Sequence, residues 1–236
     1  MNILITGASR GIGAALAPLL TSEGHRVLLL SRNLKNLEEL ALRCNRHSDD
    51  PLAIPLSFDL TQLPGREEEF TGLITEHAGT LDALLNNAGQ LLNKPFTGVS
   101  AEEARGLFDV NFFMPAQLMR LCIPLMSGSP LKHVVNISSM GGFQGSAKFP
   151  GLSYYSASKG ALGILSECLA EEFKGEEIRV NALAIGAVQT EMLAEAFPGL
   201  QAPMGPEEMA RFIRWFLLEG GSYFNGKVLP VSISTP

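Results

Sequence analysis

The residue pair best suited to chemistry in this 236-residue chain is Tyr155 and Lys159, within "SYYSASKG" at 153–160. Side chains four apart on a helix share a face, whereas adjacent ones diverge by about 100°. Tyr155 therefore faces Lys159, while Tyr154 is paired only with Ser158. A free phenol has a pKa near 10, roughly three units too high for an efficient base at neutral pH, and an adjacent ammonium favours the phenolate. Such a pair could exchange a proton with a hydroxyl or carbonyl, leaving Tyr154 as a packing or pocket-wall residue. A Tyr-x-x-x-Lys spacing arises by chance about 0.09 times in a chain of this composition, so it carries weight only in context.

A second group of residues supplies that context. "ITGASRGIGAAL" follows an apolar run and opens a helical pattern. Gly7 can make the tight turn, Gly11 lets backbone approach a pyrophosphate, and Gly13 permits close packing of helix on strand. The helix N-terminus attracts phosphate. The spacing is G-x-x-x-G-x-G rather than G-x-G-x-x-G. At the end of the next apolar run, "LLLSRN", a carboxylate would hydrogen-bond the ribose 2′-hydroxyl of NAD. Ser31 removes that charge and Arg32 can pair with a 2′-phosphate, with Arg10 of the glycine loop as a second cation. The expected cofactor is NADP(H).

These residues need a scaffold, and the apolar pattern predicts one. Strands are expected at 2–6, 26–31, 52–59, 81–88, 133–139, 178–185 and 226–233, with helices near 12–23, 33–46, 65–77, 101–126, 155–174 and 206–219. Most strands are apolar on both faces, as strands of a helix-covered parallel sheet must be. The alternation predicts an α/β fold: a single-domain, Rossmann-type doubly wound parallel sheet of about seven strands, spanning 1–236. "FPGLQAPMGP" at 197–206 breaks the periodicity and reads as part of a short substrate lid near 190–206. An apolar share of 46% allows a large core, and the net charge of −6 with no basic stripe argues against nucleic acid. No run approaches a membrane span or a signal peptide, so a cytoplasmic setting is expected. Cys44, Cys122 and Cys168 suggest neither disulfide nor zinc and are expected to be reduced, buried packing residues; His25, His47, His77 and His133 share no ligand spacing.

In order along the chain stand T-G-x-x-x-G-x-G at 6–13, "NNAG" at 86–89, Asn111, "NISS" at 136–139 and Tyr-x-x-x-Lys at 155–159. Together they resemble the short-chain dehydrogenase/reductase family, from residue 2 to the last strand. The resemblance implies hydride transfer between NADP(H) and a carbonyl or secondary alcohol. It implies that Ser139 hydrogen-bonds the substrate oxygen, Tyr155 gives or takes the hydroxyl proton, Lys159 supports it, and Asn111 holds a water that relays protons. It further places Ser9, Ile12, Asp59, Leu60, Asn87, Ala88, Gly89, Val188 and Thr190 at the cofactor: Asp59 near adenine, the "NNAG" turn shaping the channel, Val188 and Thr190 at the nicotinamide. Members form dimers or tetramers, here through 101–126 and 155–174.

Two departures from the family pattern stand out. Ile185 occupies the place of a usual proline, which leaves that turn freer. The stretch between Ser139 and Tyr155 is long, with Phe143, Gln144 and Phe149 as candidate pocket residues. The lid's apolar Met192, Leu193, Phe197, Leu200 and Met204 favour a neutral or apolar substrate. An alternative function is an idle NADP(H)-binding sensor, against which the complete Asn–Ser–Tyr–Lys set argues. An epimerase would need a separate C-terminal substrate domain, for which too little chain follows the sixth strand.

Overall fold

The apolar runs pair into one sheet. The computed structural model describes residues 1–46 and 50–233; His47 and the last three residues of the expected 1–236 domain lie outside them. The strands are β1 (Asn2–Thr6), β2 (Arg26–Ser31), β3 (Ala53–Ser57), β4 (Ala83–Asn86), β5 (His133–Ser139), β6 (Arg179–Ile185) and β7 (Val228–Val231). They form a seven-stranded sheet in the order β3-β2-β1-β4-β5-β6-β7, every pair parallel. The chain therefore walks outward from β1 to β3, then returns to start β4 on the other side of β1. Such a reversal opens a crevice at the carboxyl ends of the strands.

Helices cover both faces: α1 (Gly11–Ser22), α2 (Leu34–Cys44), α3 (Glu67–Ala78), α4 (Ala101–Phe108), α5 (Met114–Cys122), α6 (Ser153–Glu172), α7 (Glu191–Ala196) and α8 (Pro206–Leu218). Strand side chains alternate between faces. Ile3, Ile5, Val27 and Leu29 pack with Leu16, Leu20, Ile213 and Phe216 on one side. Leu4, Leu28 and Leu30 pack with Phe70, Ile74, Leu118 and Leu162 on the other.

The structure corrects several boundaries. The expected strand 81–88 ends at Asn86, because Asn87 and Ala88 turn their amides to Thr6 Oγ1, each at 3.0 Å. The strand expected at 52–59 ends at Ser57, and Asp59 instead caps a 3₁₀ turn, accepting from the Thr61 amide at 3.0 Å. The helix expected over 101–126 is α4, a π-helical turn (Asp109–Phe113), α5 and a 3₁₀ turn (Ile123–Met126). Pro115 has no N–H to return to the Asn111 carbonyl, and Met114 N–H reaches Asp109 O, five residues back. The freer turn expected at Ile185 is held by sheet pairing, since Ile185 lies in register with Ser139 on one side and Val231 on the other. Cys122 is buried as expected and Cys44 half-buried, but Cys168 is exposed on α6.

His133, given no role by its sequence context, ties three elements together. Its ring contacts the Leu217 carbonyl through Nδ1 at 2.9 Å and Asn181 Nδ2 through Nε2 at 3.1 Å. A carbonyl accepts only and an amide nitrogen donates only, which assigns the neutral tautomer with the proton on Nδ1.

Candidate active site

The glycine loop is shaped by backbone needs. Gly7 and Gly11 have φ of 65° and 56°, in the left-handed region. A Cβ on Gly13 would lie 2.8 Å from the Gly7 carbonyl and 2.9 Å from Asn87 Nδ2, so only glycine lets α1 begin so close to the loop. Asn87 Nδ2 donates to the carbonyls of Thr6 and Gly7 at 3.0 and 3.2 Å, which fastens the turn after β4 to the loop after β1. Both flank the crevice. Arg10 stands at the N-cap of α1 without capping it, and the first turn carries no acid. The opening amides of α1 are thus presented to an anion.

Ser9 is half-buried and Ile12 buried at this loop. Ser31, the last residue of β2, accepts from the Asn33 amide at 3.2 Å, and Arg32 beside it is exposed. A cleft beside the loop is lined by Ser9, Asn36, Glu39, Leu42 and Arg43. Arg43 is a cation that the sequence reading missed. It lies ten residues beyond the N-cap Asn33, with no spacing to mark it, and the packing of α2 against α1 and the sheet puts it on the same cleft as Ser9. Arg10 is turned elsewhere: its Nη1 is 3.2 Å from Glu195 Oε1 on α7.

On the other side of the crevice, α6 begins at Ser153, two residues earlier than expected, so both tyrosines lie in its first turn. Tyr154 stacks on Phe96 at 5.4 Å between ring centres, while Tyr155 points to Ser139 at the end of β5. Burial pushes the Tyr155 phenol up, and a hydrogen bond from Ser139 opposes that rise. Ser139 Oγ accepts from the Gly141 amide at 3.2 Å, which leaves its proton available to a partner. Lys159 is 4% exposed, and burial brings its pKa down to about 8. Its Nζ donates to the Ile137 carbonyl at 2.8 Å.

Asn111 sits on the π-helical turn and is fully buried. Its amide exchanges two bonds with the Gln90 backbone, at 2.8 and 2.9 Å, and donates to Ser158 Oγ at 3.1 Å. Gly89 lies between these groups: a Cβ there would be 3.2 Å from Asn111 Oδ1 and 3.3 Å from Lys159 Nζ. The structure thus brings Ser139, Tyr155, Lys159, Asn111 and Gly89 to one place.

Buried polar bonds fix α6 against the sheet. Asn86 donates to Asn136 at 2.7 Å, Asn136 to Ser166 at 2.8 Å, and Ser166 to the Leu162 carbonyl at 2.7 Å. Ser138 Oγ donates to the Lys159 carbonyl at 2.8 Å. Close approach is permitted by Gly142, where a Cβ would lie 2.5 Å from the Gly160 nitrogen.

The remaining expected positions follow the carboxyl ends of β3, β5 and β6. Leu60 opens the 3₁₀ turn that Asp59 caps. Val188 is buried and bridged to Met204, and Thr190 caps α7. Phe143 is half-buried, while Gln144 and Phe149 are exposed on the loop before α6.

A family model for short chain dehydrogenases matches residues 1–201. The chain belongs to the short-chain dehydrogenase/reductase family. It is 28% identical over 218 residues to an uncharacterized oxidoreductase of Staphylococcus aureus (strain MW2), covering 92% of this chain and 90% of that one. Among solved structures it resembles levodione reductase, with TM-score 0.86, 26% identity and coverage of 98% and 95% of the two chains. It also resembles a 3-oxoacyl-[acyl-carrier protein] reductase of Brucella melitensis with bound NAD, with TM-score 0.82, 26% identity and coverage of 98% and 89%. This short-chain oxidoreductase accordingly works with a nicotinamide cofactor. The residues present fit such a group: a glycine loop in the required backbone form, an uncapped helix N-terminus, and a crevice floor left open at Gly89. Among the described residues no helix is long and apolar enough to cross a membrane.

Proposed function

We propose that this short-chain oxidoreductase is an NADP(H)-dependent carbonyl reductase or alcohol dehydrogenase, folded as one domain with 190–206 as its lid. The observation that carries the reading is the convergence of Ser139, Tyr155 and Lys159 on one side of the crevice whose other side is the glycine loop. Bound nicotinamide supplies the hydride donor or acceptor.

The chain's own residues would do the rest. The amides opening α1 hold the pyrophosphate, with Ser9 and Ile12 beside them, and Asp59 and Leu60 border the adenine. Arg32 and Arg10 pair with the 2′-phosphate, while Ser31 leaves no carboxylate to repel it. Asn87, Ala88 and Gly89 form the channel floor, and Val188 and Thr190 flank the nicotinamide. Ser139 donates to the substrate oxygen, where negative charge develops during reduction. Tyr155 delivers the proton to that oxygen, or removes it in the reverse direction. The Lys159 ammonium favours the phenolate left on Tyr155. Asn111 has its side chain fixed by Gln90, and its carbonyl, freed by Pro115, can hold a water that returns the proton from solvent. Phe96, Tyr154 and Phe149 give the mouth an aromatic character that suits a neutral or apolar substrate. Exposed Phe113 and Ile164, on the π-helical turn and α6, support assembly as a homodimer or homotetramer.

The test is cofactor oxidation with a panel of ketones, aldehydes, cyclic diketones and 3-oxoacyl thioesters, run with NADPH and with NADH. The expected outcome is turnover of at least one neutral carbonyl compound with a higher kcat/KM for NADPH. Tight NADPH binding with no turnover on any member would instead support a sensor.

A further inference from the structure

The lid meets the glycine loop through charge. At the start of α7, the Thr190 methyl lies 3.3 Å, and a Glu191 carboxylate oxygen 3.9 Å, from the point where a Cβ on Gly11 would sit. One helical turn on, Glu195 shares the face of Glu191, and its Oε1 is 3.2 Å from Arg10 Nη1. At the far end of α7, Asn93 Nδ2 donates to the Ala196 carbonyl at 3.0 Å. The helix is therefore held by a charged contact at the cofactor loop and a neutral one at the loop after β4.

We infer that Glu195 competes with the 2′-phosphate of NADP(H) for Arg10, and so sets how strongly the protein prefers NADP(H) over NAD(H). One guanidinium fork can serve a carboxylate or a phosphate, but not both in full. When a 2′-phosphate takes Arg10, the charged hold on α7 is lost, while the neutral bond from Asn93 to the Ala196 carbonyl remains. NAD(H) carries a hydroxyl at that position and leaves the Arg10–Glu195 pair intact. Glu191, beside Gly11, adds a second negative charge that the incoming phosphates must face. Both partners are well exposed, at 51% and 67%. The coupling therefore falls in the range of surface ion pairs, worth up to about five-fold in a binding constant. This competition presupposes the pairing of Arg10 with the 2′-phosphate proposed above.

The test is equilibrium binding of NADPH and NADH to the full chain, for the wild type, Glu195→Gln, Arg10→Ala and the double variant. Glu195→Gln should bind NADPH about two- to five-fold more tightly with NADH unchanged, and the gain should vanish when Arg10 is also replaced. If Glu195→Gln leaves NADPH binding unchanged or weakens it, while Arg10→Ala weakens NADPH alone, the competition is overturned and the cofactor assignment stands. If Arg10→Ala changes NADPH and NADH binding alike, or neither, Arg10 is no ligand of the 2′-phosphate and the competition falls with that assignment.

Discussion

Lys159 carries its amine at 4% exposure, bonded to the Ile137 carbonyl at 2.8 Å, and burial brings its pKa from 10.5 down to about 8. The unfolded chain holds that proton more tightly than the folded one. Folding therefore pays a penalty below pH 8 that is relieved as pH rises from about 8 to 10.5; at neutral pH it is worth about 3 kcal/mol before the hydrogen bond offsets part of it. A residue kept at such a cost points to chemistry rather than stability. Lys159→Met should lower turnover by at least about a hundredfold, yet leave the thermal midpoint at neutral pH no lower than that of the wild type. A calorimetric scan beside a rate measurement checks both halves, and a large fall in the midpoint would make Lys159 a structural residue. Burial pushes the phenol of Tyr155 up as well, and the Ser139 hydroxyl opposes that rise.

The elements determine whether those groups meet. The helix α6 is drawn against β5 by Ser138, by the Asn86–Asn136–Ser166 chain, and by the absence of a side chain at Gly142. Gly142→Ala would place a carbon 2.5 Å from the Gly160 nitrogen and 2.7 Å from the Lys159 carbonyl carbon, both backbone atoms that cannot rotate away. It should cost about 1–3 kcal/mol in denaturant unfolding and lower kcat, because α6 carries Tyr155 and Lys159 away from Ser139. A stable variant with wild-type kcat would show that this contact does not set the site. At this scale the sequence was legible in part. Periodicity located each strand and every helix except α7, a six-residue segment inside the expected lid. It missed the π-helical turn, since a five-residue bonding step leaves no mark on an apolar pattern; Pro115 was the visible cause, and its consequence for the Asn111 carbonyl needed the backbone. The strand expected to reach residue 88 read too long because Asn87 and Ala88 are followed by no breaker until Gly89, and their bonds to Thr6 join residues over 80 apart.

Across the whole molecule, a sheet covered on both faces was readable from strands apolar on both sides and from the strand–helix order, whereas the polar tie at His133 was not. His133 bridges β5, β6 and α8, and burial lowers its pKa from 6.5 to about 4. The folded protein favours the neutral ring, so this contribution is complete above pH 6.5 and is lost as pH falls toward 4, amounting to about 3 kcal/mol. Urea unfolding at a series of pH values should show that acid limb, and His133→Gln should flatten it; an equally steep limb in the variant would assign it to other groups. A lone histidine in an apolar strand gives no such warning in sequence. Nor could the Arg10–Glu195 contact be read there, since its partners are 185 positions apart. The motifs contain Ser139, Tyr155, Lys159, Asn111 and Gly89, and the sheet order explains why these converge. The central claim is that the assembled site reduces a carbonyl with Tyr155 as the proton donor. Its most direct test is NADPH-linked turnover of the best substrate by the wild type, Tyr155→Phe and Tyr154→Phe, with NADPH affinity measured in parallel. The account predicts that Tyr155→Phe loses about a hundredfold or more in kcat with NADPH binding intact, while Tyr154→Phe stays near wild type. Wild-type kcat in Tyr155→Phe, or a dead Tyr154→Phe, would contradict it.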